Sequence, residues 1–356
     1  MSFFPELRRL CPDTKFFGVG GDVLQSEGVE LLYHLKDFSS MGFSEVIGKI
    51  PFYKKALKHI EDEVIKRGTK TAILIDFQGF NMRIAKALSN KGVKVLYYVA
   101  PQAWAWKAHR AQALSENTHT LFTILPFEKD WFQSRGVKQV KSIPHPLMLH
   151  FKEELKNIPA RPFGSWNDKI KILLLPGSRK FEVQSLLPSF IKTIDLLKKD
   201  FNVEVHLVKV SHLDSSLYDY FQDKVDVWHD NDNISNALKE AHFVLAASGT
   251  VTLSCGLFEV PTIVGYKGSL LNEFIFRNFI KYSGFISLTN IVHEQEVFPE
   301  LIQEQVEPHK MYGILKSWIK NKDVYEEKKR ILKETKNLLS GEDFSVPAYM
   351  SQVIHE

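Results

Sequence analysis

The chain has 356 residues, of which 46 are Lys or Arg and 42 are Asp or Glu, so its formal net charge is +4. Apolar residues make up 44%, too many for a disordered chain, and no apolar run in the sequence reaches the roughly 18 residues of a membrane span. This charge is too small to indicate nucleic-acid binding. Two cysteines, Cys11 and Cys255, cannot build a zinc cluster and fit a reducing cytosol.

Short apolar segments typical of β-strands alternate with longer helical patterns along the chain. The predicted strands are residues 15–19, 71–75, 94–99, 119–124, 138–143, 171–175, 204–208, 226–229, 242–246 and 262–266. Helical patterns lie between them, for example at residues 81–91, 180–199 and 233–241. This alternation predicts an α/β protein whose parallel sheets are covered by helices on both faces.

Two prolines and a glycine interrupt the pattern at residues 157–164 and mark a domain boundary. We expect a Rossmann-like N-terminal domain over residues 1–155, a second Rossmann-like domain over 168–335 and a helical tail over 336–356. If the two domains face each other, the carboxyl ends of both sheets lie at one cleft, where open α/β sheets bind ligands. The loops that follow the predicted strands are therefore the candidate site.

Two loops in the second half predict an anion site. In each, a glycine turns the chain from a strand into a helix, whose free backbone N–H groups attract negative charge. Arg179 adds a guanidinium beside the first loop. Either loop alone is better explained as an ordinary strand–helix turn, but two in one domain indicate a nucleotide diphosphate. The residues concerned are Gly177, Ser178, Arg179, Ser248, Gly249 and Thr250.

Segments of the first half carry candidate residues for another substrate. Asp76 ends an apolar strand and is a candidate general base, although helix capping explains it equally well. Residues 101–110 join flat apolar surface to positive charge, through Trp104, Trp106, Lys107 and Arg110. These side chains either bind a phosphorylated, partly apolar ligand or form a tryptophan core with a solvated basic edge. Residues 41–58 alternate apolar side chains with lysines, and fit either an anionic membrane surface or an ordinary amphipathic helix.

An ordered series of motifs resembles one family along almost the whole chain. In chain order they are MGFSEV at 41–46, ID at 75–76, FN at 80–81, WAW at 104–106, LPFEK at 125–129, LPGSR at 175–179, ASGT at 247–250, SLTN at 287–290 and PELIQE at 299–304. Each motif is weak alone, but the order resembles that of the lipid-A-disaccharide synthases. The resemblance implies the GT-B glycosyltransferase fold, which has two facing Rossmann-like domains.

The resemblance also implies a reaction. Diacylglucosamine passes from UDP-2,3-diacylglucosamine to 2,3-diacylglucosamine 1-phosphate, with inversion, to give the β-1′,6-linked lipid A disaccharide and UDP. The UDP-sugar is a substrate, so neither a cofactor nor a metal is expected. The implied location of the protein is the cytoplasmic face of the inner membrane of a Gram-negative bacterium. The expected partners are both acylated substrates and the anionic membrane surface, with a homodimer as one option and no nucleic acid.

Roles for individual residues follow from the same resemblance. Asp76 would take a proton from the acceptor 6-hydroxyl, and Arg179 would neutralise the departing diphosphate. Ser254 stands where the family has a glutamate that accepts hydrogen bonds from ribose hydroxyls, which puts donor affinity in question. The other implied residues are, on the nucleotide side, Gly177, Ser178, Ser248, Gly249, Thr250, Asn290, Gln303 and Glu304 and, on the acceptor or lipid side, Glu45, Asn81, Trp104, Trp106, Lys107 and Arg110.

The chain departs from the family at its beginning. Its first predicted strand, at 15–19, matches the family's second, so the family's first strand and Gly-rich loop have no counterpart. We expect the neighbours of the absent strand to lose their pairing, leaving a sheet that is unstable or that closes around the gap. Met1 is then an internal methionine, and the native protein starts roughly two dozen residues earlier.

Two other interpretations stay open. One is a different GT-B enzyme, such as an undecaprenyl-linked glycosyltransferase or a UDP-sugar epimerase. The other is a non-catalytic lipid- or nucleotide-binding pseudoenzyme, which the absent N-terminal loop and Ser254 would favour.

Overall fold

A computed structural model describes residues 3–38, 48–166, 168–268 and 284–356, excluding the side chain of Trp106. The chain forms two compact units: unit 1 comprises Met1–His145 and Gly341–Glu356, and unit 2 comprises Pro146–Ser340. The first boundary therefore lies before the expected residue 155. The tail over 336–356 is not a separate region, because its last sixteen residues, from Gly341 to Glu356, belong to unit 1. None of the described helices is both long enough and apolar enough to cross a membrane.

The strands of unit 1 form two parallel sheets. They are β1 (Phe17–Gly20), β2 (Glu30–His34), β3 (Thr71–Ile75), β4 (Lys94–Tyr98), β5 (Thr120–Thr123) and β6 (Val140–Ser142). One sheet is the pair β1–β2, and the other has the order β3–β4–β5–β6. Within the described residues no strand joins β1 to β3, so the sheet does not close around the expected gap.

Unit 2 contains one parallel sheet with the order β12–β11–β10–β7–β8–β9. Its strands are β7 (Ile170–Leu175), β8 (Val203–Lys209), β9 (Val227–Asp230), β10 (Phe243–Ala247), β11 (Thr262–Tyr266) and β12 (Glu300–Ile302). All five residues of β10 are buried, because this strand has neighbours on both sides and helices on both faces. The predicted doubly wound parallel architecture is therefore confirmed.

Helices connect the strands in both units. In unit 1 they are α1 (Phe4–Leu10), α2 (Asp22–Ser26), α3 (Leu35–Phe38), α4 (Ile50–Lys66), α5 (Gln78–Ser89), α6 (Ala103–Trp106), α7 (Arg110–Asn117) and α8 (Glu128–Gln133). In unit 2 they are α9 (Pro146–His150), α10 (Lys180–Leu197), α11 (Ile234–Glu240), α12 (Thr250–Leu257), α13 (Leu288–His293), α14 (Pro308–Lys320), α15 (Lys322–Lys333) and α16 (Thr335–Leu338). The final helix, α17 (Val346–His355), returns to unit 1, where it packs beside α1.

Several helices begin where the sequence supplies a cap. The Glu307 carboxylate accepts hydrogen bonds from the first backbone N–H groups of α14, and Pro308 occupies the first helical position. The Ser345 hydroxyl accepts a bond from the Ala348 N–H at the start of α17. The helical character expected for residues 336–356 is therefore observed in α17.

Candidate active site

The two predicted anion loops of unit 2 are neighbours in the structure. One follows β7 and the other follows β10, and these strands pair side by side in the middle of the sheet. The strand order reverses between them, since β8 and β9 lie on one side and β11 and β12 on the other. Open α/β sheets bind ligands at such a switch point, beyond the carboxyl ends of the strands. The strand order thus brings both loops to one place.

The Glu182 carboxylate organises the loop after β7. It accepts hydrogen bonds from the backbone N–H groups of Ser178 at 2.9 Å and Arg179 at 3.1 Å, and from Arg179 Nη1 at 2.6 Å. Gly177 has a φ of +115°, and a Cβ there would lie 2.4 Å from the Glu182 carboxylate, so this position requires glycine. The expectation of free N–H groups is therefore corrected, because Glu182 already caps this helix. Arg179, whose side chain is 80% exposed, is the charged group that remains open to a ligand.

The loop after β10 presents exposed backbone at the start of α12. Gly249 has a φ of +138°, and both Gly249 and Thr250 are exposed, while Ser248 is half-buried. The Thr252 hydroxyl donates to the Gly249 carbonyl at 2.8 Å and fixes this first turn. Ser254 is only 4% exposed, within α12. It is therefore packed inside the unit, which differs from the expectation that it lines the nucleotide site.

Asn290 is a buried structural residue. Its Nδ2 donates to the Phe298 carbonyl and to the Glu300 carboxylate, each at 2.8 Å. Its Oδ1 accepts from the N–H groups of Val297 at 2.9 Å and Phe298 at 2.8 Å. These bonds occupy both ends of the amide, and the side chain is fully buried. Asn290 therefore joins the SLTN and PELIQE motifs into one network, which corrects the expectation that it closes the nucleotide site directly.

Polar side chains follow strands β11 and β12, which lie on the same side of β10 in the sheet. Gln303 has a φ of +55°, and its Oε1 accepts a hydrogen bond from the Gly268 N–H at 3.1 Å. Glu304 is exposed beside it. Lys267 follows β11, and its Nζ donates to Ser189 Oγ at 3.2 Å. This lysine adds positive charge at the edge where the anion loops lie, and its only sequence signal is a position directly after a predicted strand.

Asp76 is exposed at the carboxyl end of β3, on an unusual backbone. Its φ is +45° and that of Phe77 is +39°, so both are left-handed. The Asp76 N–H donates to the Tyr98 carbonyl at 2.9 Å, and its carbonyl accepts from Asn81 Nδ2 at 2.9 Å and from the Tyr97 hydroxyl at 3.0 Å. These bonds use only the main chain of Asp76, so the carboxylate remains available as a base. Strained backbone of this kind concentrates at functional sites.

The conformation at this edge depends on Asn81 and on the neighbouring strand. The Asn81 amide also donates to the Ile75 carbonyl at 2.9 Å, so both of its bonds hold the turn between β3 and α5. Val99, directly after β4, has a φ of +67°, which is rare for a β-branched residue. Two adjacent strands therefore end in strained backbone, a feature that the sequence does not reveal.

Arg110 lies close to the start of α5, where Asp76 also lies. Its Nη1 donates to the Gln78 side chain, two residues after Asp76. Burial lowers the pKa of Arg110, and the like charge of nearby Arg83 lowers that pKa further. Arg83 Nη1 donates to the Gly79 carbonyl, so both arginines reach the first residues of α5, and Arg83 was not among the predicted residues.

Trp104 has a structural environment. Its Nε1 donates to the Glu128 carboxylate at 2.9 Å. The same carboxylate accepts hydrogen bonds from the backbone N–H groups of Ile124 and Leu125, at 3.1 Å each. Burial raises the pKa of Glu128, which is fully enclosed. This environment favours the interpretation of Trp104 as a core residue. Lys107, three residues further along the chain, is half-buried. The Trp106 side chain and Glu45 lie outside the described residues.

An aromatic cluster surrounds the residue that follows Asp76. The Phe77 ring is 6.2 Å from those of Phe38 and Tyr53 and 6.1 Å from that of Phe80, measured between centroids, and Phe77 is 45% exposed. Tyr53 lies on α4, within the apolar and basic stretch predicted at 41–58, of which residues 41–47 lie outside the described residues. An exposed apolar surface therefore adjoins Asp76.

Solved structures with the same architecture include enzymes of sugar nucleotides. MurG from Acinetobacter baumannii matches with a TM-score of 0.53 and 10% identity, over 96% of this chain and 99% of that one. A UDP-GlcNAc 2-epimerase from Neisseria meningitidis bound to UDP-GlcNAc matches with a TM-score of 0.58 and 11% identity, over 99% and 96%. Likeness at such identities concerns the fold alone. These structures place the chain in the class of proteins with the GT-B fold, as expected.

Sequence comparison identifies the family within this class. The family model described as lipid-A-disaccharide synthetase matches residues 2–354. The lipid-A-disaccharide synthase of Myxococcus xanthus is 32% identical over 316 residues, covering 86% of this chain and 80% of that protein. Lipid-A-disaccharide synthase 1 of Legionella pneumophila (strain Paris) is 31% identical over 309 residues, covering 84% and 78%. The chain therefore belongs to the lipid-A-disaccharide synthase family and is a glycosyltransferase, which confirms the resemblance in the ordered motifs.

Proposed function

We propose that the chain transfers 2,3-diacylglucosamine from its UDP derivative to the 6-hydroxyl of 2,3-diacylglucosamine 1-phosphate, with inversion. The observation that carries this proposal is the exposed Asp76 carboxylate, on a turn that main-chain hydrogen bonds hold, beside an exposed aromatic surface. Family membership across residues 2–354 supports the identity of the substrates.

The residues divide the chemistry between donor and acceptor. Asp76 removes the proton from the acceptor hydroxyl as its oxygen attacks the anomeric carbon of the donor sugar. The bond from that carbon to the diphosphate oxygen breaks, and UDP leaves. Arg179 and the exposed helix start after β10 stabilise the charge that develops on the diphosphate. No step needs a metal ion or a cofactor, because the leaving group is stabilised by the protein.

The surroundings of Asp76 suit a phosphorylated lipid. The aromatic cluster around Phe77 offers an apolar surface for acyl chains. Arg83 and Arg110, near the start of α5, offer positive charge for the acceptor 1-phosphate. We therefore assign the acceptor to unit 1 and the UDP portion of the donor to unit 2.

Acylated substrates also favour attachment to the cytoplasmic face of the inner membrane. The first turns of α4 combine the 44%-exposed Ile50 with Lys54, Lys55 and Lys58. Such a surface suits an anionic bilayer. Co-sedimentation with anionic vesicles, compared with neutral vesicles of equal size, tests this part, and equal binding to both would exclude the electrostatic contribution.

The reaction is tested by incubating the protein with both acylated substrates and identifying the products by mass spectrometry. We expect UDP and the disaccharide 1-phosphate in equal amounts, and neither when one substrate is omitted. Epimerised donor without disaccharide would indicate the epimerase interpretation. Binding of UDP without any turnover would indicate the pseudoenzyme. The likeness to epimerase structures favours neither, because it extends only to the fold.

A further inference from the structure

Tyr97 of β4 joins the core of unit 1 to the exposed turn at Asp76. Its side chain is fully buried, yet its hydroxyl donates to the Asp76 carbonyl at 3.0 Å. The bond crosses from one strand to its neighbour, because β3 and β4 pair in parallel over all five residues of each. Tyr97 lies outside every motif of the family resemblance, so only the structure connects it to the proposed base.

The surroundings of the Tyr97 ring fix the position of its hydroxyl. In the sheet, Tyr97 is paired with Leu74 of β3 on one side and with Leu121 of β5 on the other. The ring belongs to an apolar cluster that also contains Leu114 of α7 and contacts Met82 of α5. Because buried side chains at this packing density are held in single rotamers, the hydroxyl cannot adapt to the turn. The turn must adapt to the hydroxyl.

Two successive residues of β4 hold the two main-chain groups of Asp76. The Asp76 N–H donates to the Tyr98 carbonyl at 2.9 Å, and the Asp76 carbonyl accepts from the Tyr97 hydroxyl. Side chains of successive strand residues point to opposite faces of a sheet. The Tyr98 ring accordingly packs with Phe3 on one face, and the Tyr97 ring lies on the face that α5 covers. The Tyr97 hydroxyl therefore reaches the turn from the side on which α5 begins.

Asn81, the other donor to the Asp76 carbonyl, has a different effect. Its Nδ2 donates to the carbonyls of Ile75 and Asp76, at 2.9 Å each. Asn81 lies only five residues after Asp76, so these bonds close the turn on itself. The bond from Tyr97 spans 21 residues and ties the turn to the neighbouring strand. Asn81 thus shapes the turn, whereas Tyr97 sets its position against the sheet.

The turn requires this attachment because its backbone is unfavourable. Asp76 and Phe77 have φ values of +45° and +39°, so two successive residues other than glycine are left-handed. Such a conformation costs free energy at each residue and persists only where the surrounding structure holds it. Loss of one attachment should therefore let the turn relax and move the Asp76 carboxylate.

Charged groups of the site lie close to the Tyr97 hydroxyl. Burial raises the pKa of Tyr97, the negative charge of Asp76 raises that pKa further, and the positive charge of Arg110 lowers it. The hydroxyl therefore stays protonated at neutral pH and remains a donor. Arg110 in turn donates to the side chain of Gln78, the first residue of α5. Tyr97 is thus a buried neighbour of both charges that the proposed function assigns to the acceptor.

We propose that Tyr97 is a positioning residue for the general base. Its hydroxyl, fixed by the core, holds the main chain of Asp76 so that the carboxylate meets the 6-hydroxyl of the acceptor. This role rests on the proposed function, in which Asp76 removes the proton of that hydroxyl. Tyr97 transfers no proton itself, since its own hydroxyl is bonded to a main-chain carbonyl. Its loss should therefore lower kcat and leave the KM of both substrates unchanged.

The test is Tyr97→Phe, which removes the hydroxyl and keeps the ring. We expect kcat to fall on the order of 10–10²-fold, because a reacting group displaced by about 1 Å costs up to roughly 10²-fold in rate. Tyr325→Phe is the matched control, since Tyr325 of α15 is also fully buried and its hydroxyl donates to the Arg161 carbonyl at 2.8 Å in unit 2. Both variants should lose similar stability, but only Tyr97→Phe should lose kcat. Rates are compared at a temperature at which circular dichroism shows each variant folded. Tyr97→Met, whose flexible side chain fills core space, replaces Tyr97→Phe if the latter does not fold.

A double-variant cycle separates positioning from a general loss of structure. If Tyr97 acts through Asp76, Tyr97→Phe should leave the residual rate of Asp76→Asn unchanged, because no base remains to be positioned. A further loss of the same size in that background, or an unchanged kcat of the single variant, would overturn the proposal. So would a crystal structure of Tyr97→Phe in which Asp76 and Phe77 keep their conformation. Wild-type chain that forms no disaccharide from both substrates would instead refute the proposed function and this role with it, so the two failures are distinguishable.

Discussion

Replacing Asp76 by Asn should abolish turnover while unit 1 stays folded. The amide keeps the shape of the side chain, and Asn tolerates a φ of +45° about as well as Asp does. The bonds to Tyr98, Asn81 and Tyr97 all use the main chain, so the substitution leaves them intact. We therefore expect the free energy of unfolding to change by less than about 0.5 kcal/mol.

The expected loss of activity is much larger. A missing general base typically reduces the rate by about 10²–10⁴, which corresponds to roughly 2.7–5.5 kcal/mol of transition-state stabilisation. Asp76→Ala should lose the same activity and, because Ala disfavours the left-handed region, a further ~1–2 kcal/mol of stability. The pair of variants thus separates the role of the carboxylate from that of the turn.

Disaccharide formation, UDP binding by calorimetry and thermal unfolding are measured on both variants. Asp13→Asn, which removes the same charge from an exposed turn, is the control and should change none of them. Near-native turnover of Asp76→Asn would refute the role as base. Equal loss of stability in the Asn and Ala variants would refute the argument from the backbone.

Other substitutions test unit 2. Gly177→Ala should weaken UDP binding and lower the melting temperature, because its Cβ would overlap the Glu182 side chain; Gly313→Ala, in open space on α14, is the control and should not destabilise. Arg179→Ala should lower donor affinity, measured by calorimetry, together with turnover, measured as initial rates. If neither quantity changes, Arg179 does not belong to the site. Ser254→Glu should lower the melting temperature of the free protein, since it buries a carboxylate. Burial lowers the pKa of His242 from 6.5 to about 4, so the unfolded chain binds a proton that the folded chain does not. The free energy of unfolding should therefore fall as the pH decreases from 6.5 to 4, and His242→Asn should make denaturant-measured stability less sensitive to pH in that range.

The sequence alone determined the architecture and the loops. Apolar runs such as those of β7 and β10 have the length and β-branched or aliphatic content of buried parallel strands, and helical periodicity between them predicts crossovers. It missed β2 and β12. β2 begins with a charged residue, and β12 has three residues, so neither produces a clear apolar run.

The tertiary structure decided which residues face a ligand. Asn290 lies in the SLTN motif and Ser254 lies four residues after the ASGT motif, yet the structure buries both. The Asn290 amide is enclosed because Phe298 and Glu300 fold back onto it and satisfy its hydrogen bonds. Glu182 likewise takes the N–H groups that the sequence left for a phosphate.

Strand order was also beyond the sequence. The loops after β7 and β10 meet because these strands pair across about seventy residues of chain, a contact that periodicity does not encode. The gap between β1 and β3 is the converse case, since both strands were predicted from their own residues, whereas only the assembled sheets reveal that no strand within the described residues joins them. Local propensity sets each element, whereas long-range hydrogen bonding and packing decide which elements become neighbours.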